Sequence, residues 1–290
     1  MKIFALIYLL IAAGTSAFAD SSPKVFDLGM RAGRYESDSV YEDSKGTLLD
    51  VSGALVLGDS FRSNLKLDLD LMAKVRDGQG DFSDANVTLK GRYLKEGRWG
   101  FEVSGLPFKY SRDDIFYELS FVEVSAVLKI AEGKGHQLLA LAGINPFTTR
   151  NSLNTYESTE TATAKTRFAT LEYSVRLPIS IEYKYKRGKK LTITAIAHYV
   201  LRAGRDSLNK VETYGIRVPQ VTELEHKNFL GHNLAGVGEI NYRLTNSRGK
   251  QLLLNGTVQA ELDSHVQDFG VQVSRVSTRL MTMAGVIVRF

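Results

Sequence analysis

Cysteine is absent from all 290 residues, which excludes a disulfide framework and lipid attachment at an N-terminal cysteine. Proline is scarce, with five scattered residues, and no Pro-, Ser- or Gly-rich linker divides the chain, so a single domain is expected. Strong charge is also lacking. The 37 basic and 32 acidic residues leave a net charge of +5, and no Lys/Arg cluster sits in a nucleic-acid-reading motif, so no nucleic-acid partner is expected. Glycine-rich nucleotide cradles in a strand-to-helix context are missing. After the first 13 residues no apolar run approaches 18, so helices cannot carry the chain through a bilayer.

What is present begins with MKIFALIYLLIAAGTSAFAD. Lys2 precedes an apolar run from Ile3 to Ala13, followed by the small-residue site Ala17-Phe18-Ala19. The run is shorter than the roughly 20 residues of a membrane helix and lacks a basic stop-transfer flank. Residues 1–19 are therefore expected to be a cleaved secretory signal rather than an anchor, and residues 20–290 one domain.

The rest of the chain alternates with period two. In FRSNLKLDLDLMAKVR, Phe61, Leu65, Leu67, Leu69, Leu71, Ala73 and Val75 take one parity. Arg62, Asn64, Lys66, Asp68, Asp70, Lys74 and Arg76 take the other. This is a strand with one apolar and one wet face, far longer than the 5–6 residues usual in soluble sheets. LTITAIAHYVL from Leu191 and LLLNGTVQAELD from Leu252 repeat the pattern, and Leu171 to Tyr185 keeps its parity past Pro178.

Counted between turn signals, strands are expected to start near Val25, Leu48, Phe61, Phe82, Trp99, Ile115, Gln137, Lys165, Leu191, Phe229, Leu252 and Arg275. That gives about 12, an even number suited to ring closure. Short turns are expected at Gly58 to Ser60, Lys95 to Arg98, Glu132 to Gly135, Arg187 to Lys189 and Asn246 to Lys250. Longer connections are expected at Glu36 to Gly46, Arg150 to Ala164 and Arg202 to Asn228.

The last strand ends GVIVRF. Phe290, Val288, Val286, Ala284, Thr282 and Leu280 share one face, while the other row holds Arg289, Ile287, Gly285, Met283, Met281 and Arg279. This ending resembles the closing strand of Gram-negative outer-membrane β-barrel proteins, whose terminal aromatic and alternating apolar residues are recognised by the barrel-assembly machinery. The resemblance is to a class of porin-like proteins and singles out no one family. It implies an all-β, antiparallel up-and-down transmembrane barrel of about 12 strands, resident in the outer membrane with both termini periplasmic. Its expected partners are outer-membrane lipid and lipopolysaccharide, the assembly machinery that reads Val286, Val288 and Phe290, and small hydrophilic solutes. A physical reason supports closure: lipid offers no partner to a strand edge, so strands cross only as a closed sheet. A secreted β-sandwich is the competing fold.

If the apolar rows face lipid, the alternate rows line a lumen rich in charge. Candidate pore-lining residues are Arg62, Lys66, Asp68, Asp70, Lys74, Lys90, Arg92, Glu172, Arg176, Glu182 and Lys184. Such residues either line a water-filled pore and set its selectivity or pair across a narrow barrel and fill it. Passive passage of small hydrophilic or charged solutes is the function expected first, with a non-conducting surface or structural barrel as the alternative. An outer-membrane lipid hydrolase is the third reading. Phospholipase A and the lipid A deacylase place Ser and His two residues apart on one strand, and no such pair occurs here. Simple antiparallel counting across the Asn246 to Lys250 turn sets His232 opposite Ser264. No catalytic residue is assigned. The Glu223, Glu225, His226 and His232 group matches no zinc spacing, and neither a metal nor a cofactor is expected. The basic turn KRGKK, Lys186 to Lys190, reads as a solvated hairpin end or a contact for anionic groups at the inner rim.

Overall fold

In the computed structural model the described residues are 24–39, 44–57, 63–76, 79–95, 98–111, 116–120, 122–157, 164–214, 220–247, 250–268 and 272–290. Within them, side chains are described outside 57–89, 95–97, 106–121, 150–172, 206–227, 246–249 and 265–276, with a few more omitted near Lys24 and Ser39. The proposed signal and Arg62 lie outside the described residues.

The described regular structure is entirely β. The strands are β1 (Lys24–Ser39), β2 (Ser44–Leu57), β3 (Ser63–Arg76), β4 (Gln79–Lys95), β5 (Trp99–Ser111), β6 (Phe116–Ser120) and β7 (Val122–Gly133). They continue with β8 (His136–Glu157), β9 (Ala164–Arg187), β10 (Leu191–Tyr214), β11 (Gln220–Ser247), β12 (Lys250–Asp268) and β13 (Gln272–Arg289). Neighbours in sequence pair antiparallel. β6 and β7 lie end to end, both pairing with β5 and with β8. They therefore fill one position between those strands, and the thirteen segments occupy twelve positions. β1 pairs with β13 from Asp27↔Arg289 to Ser39↔Ser277, and β4 pairs with β5, so the sheet closes on itself. The expected all-β antiparallel barrel is the fold observed.

The period-two pattern assigns the two faces. On β9 the odd residues Tyr173, Val175, Leu177, Ile179 and Ile181 are exposed, Ile179 at 52%. Between them Ser174 and Pro178 are buried. β13 repeats this, with Leu280, Val286 and Phe290 outside and Met281 and Met283 buried. An outer surface of bare leucine, isoleucine and valine has no counterpart in a water-soluble sheet, whose apolar face turns inward. From Tyr173 to Tyr183 this apolar stretch of β9 matches the about 9–11 residues a tilted strand needs to cross a bilayer. Aromatic residues bound the belt. Phe26, Tyr93, Trp99, Phe101, Tyr242 and Phe290 lie toward the short-turn end, and Phe147 and Tyr173 toward the other, the arrangement of membrane interfaces.

One expectation needs correction. Glu36 to Gly46, Arg150 to Ala164 and Arg202 to Asn228 were expected as long connections, yet β1 continues to Ser39 and β8 to Glu157. β10 continues to Tyr214 while β11 begins at Gln220 rather than near Phe229, with pairing maintained from Arg205↔Asn228 to Glu212↔Gln220. Along these stretches the apolar alternation of the sequence ceases although the hydrogen-bonded ladder does not. In one band of the wall the pairing shifts register, between Val87 and Leu89 on β4 where it meets β5, and between Asn145 and Thr148 on β8 where it meets β9. Pro107 and Pro146 lie in this band, as expected for residues that cannot donate to a ladder. At the last break Asn145 Oδ1 accepts a 3.2 Å hydrogen bond from the Phe147 backbone, and Asn145 and Thr148 turn inward while Phe147 stays outside.

The β7–β8 turn shows how tightly the short-turn end is specified. Lys134 (φ 45°) and Gly135 (φ 88°) both adopt left-handed backbone, as in the two-residue hairpins whose twist suits paired strands. A Cβ on Gly135 would lie 2.2 Å from the Lys186 carbonyl oxygen, whereas one on Gly133 would meet nothing. Gly135→Ala is expected to lower unfolding stability by about 1–3 kcal/mol in urea titrations of the detergent-folded barrel. Gly133→Ala should leave the midpoint nearly unchanged.

Candidate functional site

The lumen holds the inward-facing rows, and among the described residues several of its charges are paired. On β4, Arg92 donates to Glu102 of β5 (Nε to Oε2, 2.6 Å), and Lys90 Nζ lies 3.0 Å from Glu102 Oε1. Arg92 Nη2 also reaches Glu182 of β9 at 2.8 Å. Since β5, the β6/β7 position and β8 separate β4 from β9, this bond crosses the lumen instead of running along the wall. Beside it, Leu94, Val127, Leu139 and Leu141 form a buried apolar cluster on β4, β7 and β8.

The opposite wall is built similarly. Arg31 of β1 places Nε and Nη2 each 2.6 Å from Asp50 Oδ2 on β2. Its Nη1 donates to Thr257 Oγ1 of β12 at 3.4 Å, reaching past β13. Asp50 is completely buried, as is Leu48, and Leu48 packs with Tyr35, Met281 and Met283. The methionines that interrupt the polar row of the last strand thus belong to an apolar cluster inside the barrel. Arg202 of β10 bridges over β11 to Asp263 of β12 (2.6 Å). Asn241 and Asn255 both donate to Glu239 Oε1, at 2.9 and 2.7 Å. At the closing seam Arg289 grips Asp27 with two bonds of 2.8 and 2.7 Å, the bidentate geometry that gives arginine–carboxylate pairs their directionality. Ser180 Oγ and His198 Nδ1 lie 2.5 Å apart on the inner faces of β9 and β10.

Of the candidate pore-lining residues, Lys90, Arg92 and Glu182 come together in one network. Arg176 and Lys184 share Glu182's parity on β9 and are partly buried. The register sets Lys66, Asp68, Asp70 and Lys74 opposite Val56, Ala54, Ser52 and Leu48, and Glu172 opposite Arg150 and Asp206; the side chains of these five are outside the described set. Glu102, Arg31, Asp50, Arg202 and Asp263 were not singled out from sequence. Glu102 was legible, because it sits between apolar neighbours in Trp99-Gly100-Phe101-Glu102-Val103, the same parity signal in a shorter strand.

Val286, Val288 and Phe290 lie on the lipid-facing parity. Phe290 exchanges backbone hydrogen bonds with Phe26 (2.8 and 3.3 Å), and their rings stack at 5.9 Å. His232 does pair with Ser264, through a bulge between Arg243 and Thr245 that the counting did not include. His232 Nδ1, however, is bonded to Tyr199 Oη at 2.6 Å.

No protein-family model matches this sequence, and no curated protein is similar to it. Solved structures with a similar course of the chain are outer-membrane barrels. The translocator domain of the autotransporter NalP from Neisseria meningitidis is 9% identical, with 100% of this chain and 97% of that one covered at a TM-score of 0.38. The outer membrane protease OmpT from Escherichia coli is 10% identical, with coverages of 94% and 98% and a TM-score of 0.32. The unliganded ferric citrate transporter FecA is also 10% identical at a TM-score of 0.38; 87% of this chain is covered, but only 41% of FecA. Overlaps this loose say nothing of this chain's chemistry.

Glu102 satisfies two cations while itself buried. Removing one partner from such a pair leaves charge without compensation and typically costs about 3–5 kcal/mol. Glu102→Gln should therefore destabilise the folded barrel in detergent by about 3 kcal/mol. Arg92→Gln added to it should cost much less than its effect alone, as a double-mutant cycle by urea titration would show.

Proposed function

We propose that this protein is an integral β-barrel of a Gram-negative outer membrane that passes small hydrophilic or charged solutes through a narrow, charge-lined lumen. The apolar outer belt between aromatic girdles supports membrane residence, since no soluble sheet leaves such a surface to water. The start of β1, the end of β13 and the β7–β8 and β9–β10 turns lie at one end of the barrel, which on the usual arrangement faces the periplasm. Phospholipid and lipopolysaccharide then surround the barrel, and the assembly machinery engages the strand bearing Val286, Val288 and Phe290.

The observation that carries the solute reading is the Arg92–Glu182 contact. It is a polar bridge across the lumen, so the passage is constricted by groups that water and ions can replace. A second reading, a filled and non-conducting barrel serving surface contacts, is favoured by the complete burial of Leu48, Asp50 and Thr148 on the inner face.

Planar-bilayer recording of the refolded barrel separates the two. Discrete, small conductance steps are expected, and Glu182→Gln should enlarge them by releasing one end of the bridge. Neutralising Lys66 or Asp70 should shift the reversal potential in opposite directions. A correctly folded barrel that stays silent in both wild-type and Glu182→Gln forms would overturn the channel reading in favour of the filled barrel.

A further inference from the structure

The short-turn end of the barrel is electrically lopsided. Residues 183–192 (YKYKRGKKLT) contain Lys184, Lys186, Arg187, Lys189 and Lys190 and no acid; residues 242–252 contain Arg243, Arg248 and Lys250 and no acid. Backbone bonds draw these segments together. The Lys186 N–H donates to the Gly135 carbonyl and the Arg243 N–H to the Lys190 carbonyl, both at 2.8 Å. The β7–β8 turn with Lys134, the β9–β10 turn and the lower end of β11 thus form one continuous rim.

Lys134, Lys186, Arg187, Lys189, Lys190 and Lys250 are all exposed on it. The nearby acid Glu132 is taken by Lys129. Among the described residues, Lys134, Arg187, Lys189 and Lys190 have no carboxylate partner. Directly above the rim stands the aromatic girdle. His136 stacks on Tyr183 and Tyr185 at 5.9 and 4.5 Å, and Lys250 Nζ lies 5.3 Å from the Phe290 ring centre. Aromatic girdles sit at headgroup depth, so the cations immediately beyond them are placed among phosphates.

We propose that this basic rim over β8–β12 is a docking surface for anionic phospholipid headgroups of the adjoining leaflet, which is the periplasmic leaflet if the orientation above holds. The phosphodiester supplies the charge that the rim lacks, and the acyl chains lie against the adjoining part of the belt at Ile179, Ile181 and Leu254. The site rests on the membrane reading but not on conduction. Attraction of this kind amounts to about 1 kcal/mol per basic residue near the surface and is weakened by salt.

The test uses spin-labelled phosphatidylglycerol and phosphatidylcholine in vesicles holding the refolded barrel. The fraction of each label immobilised on the protein is recorded at low and high salt, while emission of Trp99, the single tryptophan, reports insertion. Wild-type barrel should prefer phosphatidylglycerol by about threefold or more at low salt, and less at high salt. The Arg187→Gln, Lys189→Gln, Lys190→Gln variant should approach no preference. Neutralising Arg34 and Arg205, exposed on outward-facing positions toward the other end, should leave the preference intact. Equal immobilisation of both lipids by an inserted wild-type barrel, or a preference that survives the triple variant, would overturn the proposal and leave the membrane reading standing. Failure of Trp99 to enter lipid at all would remove both. If the triple variant does not fold, loss of preference in Lys189→Gln, Lys190→Gln alone supplies the same decision.

Discussion

Closure of the hydrogen-bonded ring is the constraint on which the rest of this structure depends. A strand can lie in hydrocarbon only if its backbone donors and acceptors are met by neighbours, and the outer edges of the first and last strands are met by each other. The β1–β13 ladder from Asp27↔Arg289 to Ser39↔Ser277 performs that closure. Its lower end is pinned three times: by the Arg289–Asp27 pair inside, by reciprocal backbone bonds between Phe26 and Phe290, and by their stacked rings outside. The aromatic that ends the chain therefore has a structural role at the seam, independent of any recognition it receives during assembly.

Once the ring is closed, every residue in the belt is assigned to lipid or to lumen, and the two environments demand opposite chemistry. Outside, valine, leucine and isoleucine need no partner. Inside, a charge must find one, because burial of an unpaired ion is far more costly than its attraction to a partner is favourable. The lumen meets this by pairing between neighbours, as Arg92 with Glu102, and over longer spans, as Arg202 with Asp263 and Arg92 with Glu182. The longer pairs narrow the passage as they satisfy the charges. On the proposed channel reading, lumenal stability and permeability are coupled: the interactions that let a polar interior pack are also those an ion must displace to pass.

The register shifts between β4 and β5 and between β8 and β9 lie on the wall that also carries Glu102 and the Leu94 cluster. Bulges bend strands and re-aim side chains, and here the break on β8 switches the inward-facing parity from Asn145 to Thr148. The wall facing Glu182 is therefore less regular than the long ladders of β9 to β12. A simple alternation read along these strands loses its register at the same places.

The sequence by itself determined the barrel, its approximate strand number and which row faces lipid on strands such as β9 and β13, because period two is a local property that burial of one face preserves. It also singled out Lys90, Arg92 and Glu182 as lumenal. What it did not contain was the meeting of Arg92 with Glu182, which sit 90 positions apart on strands that are not neighbours, nor the inward cluster of Met281 and Met283 with Tyr35 and Leu48. The continuation of β10 and β11 beyond the belt was hidden for a related reason: backbone hydrogen bonding persists there without an apolar signature in the sequence. Closure of the ring decided those features, since only the curvature and register of the whole sheet fix which inward side chains come within reach.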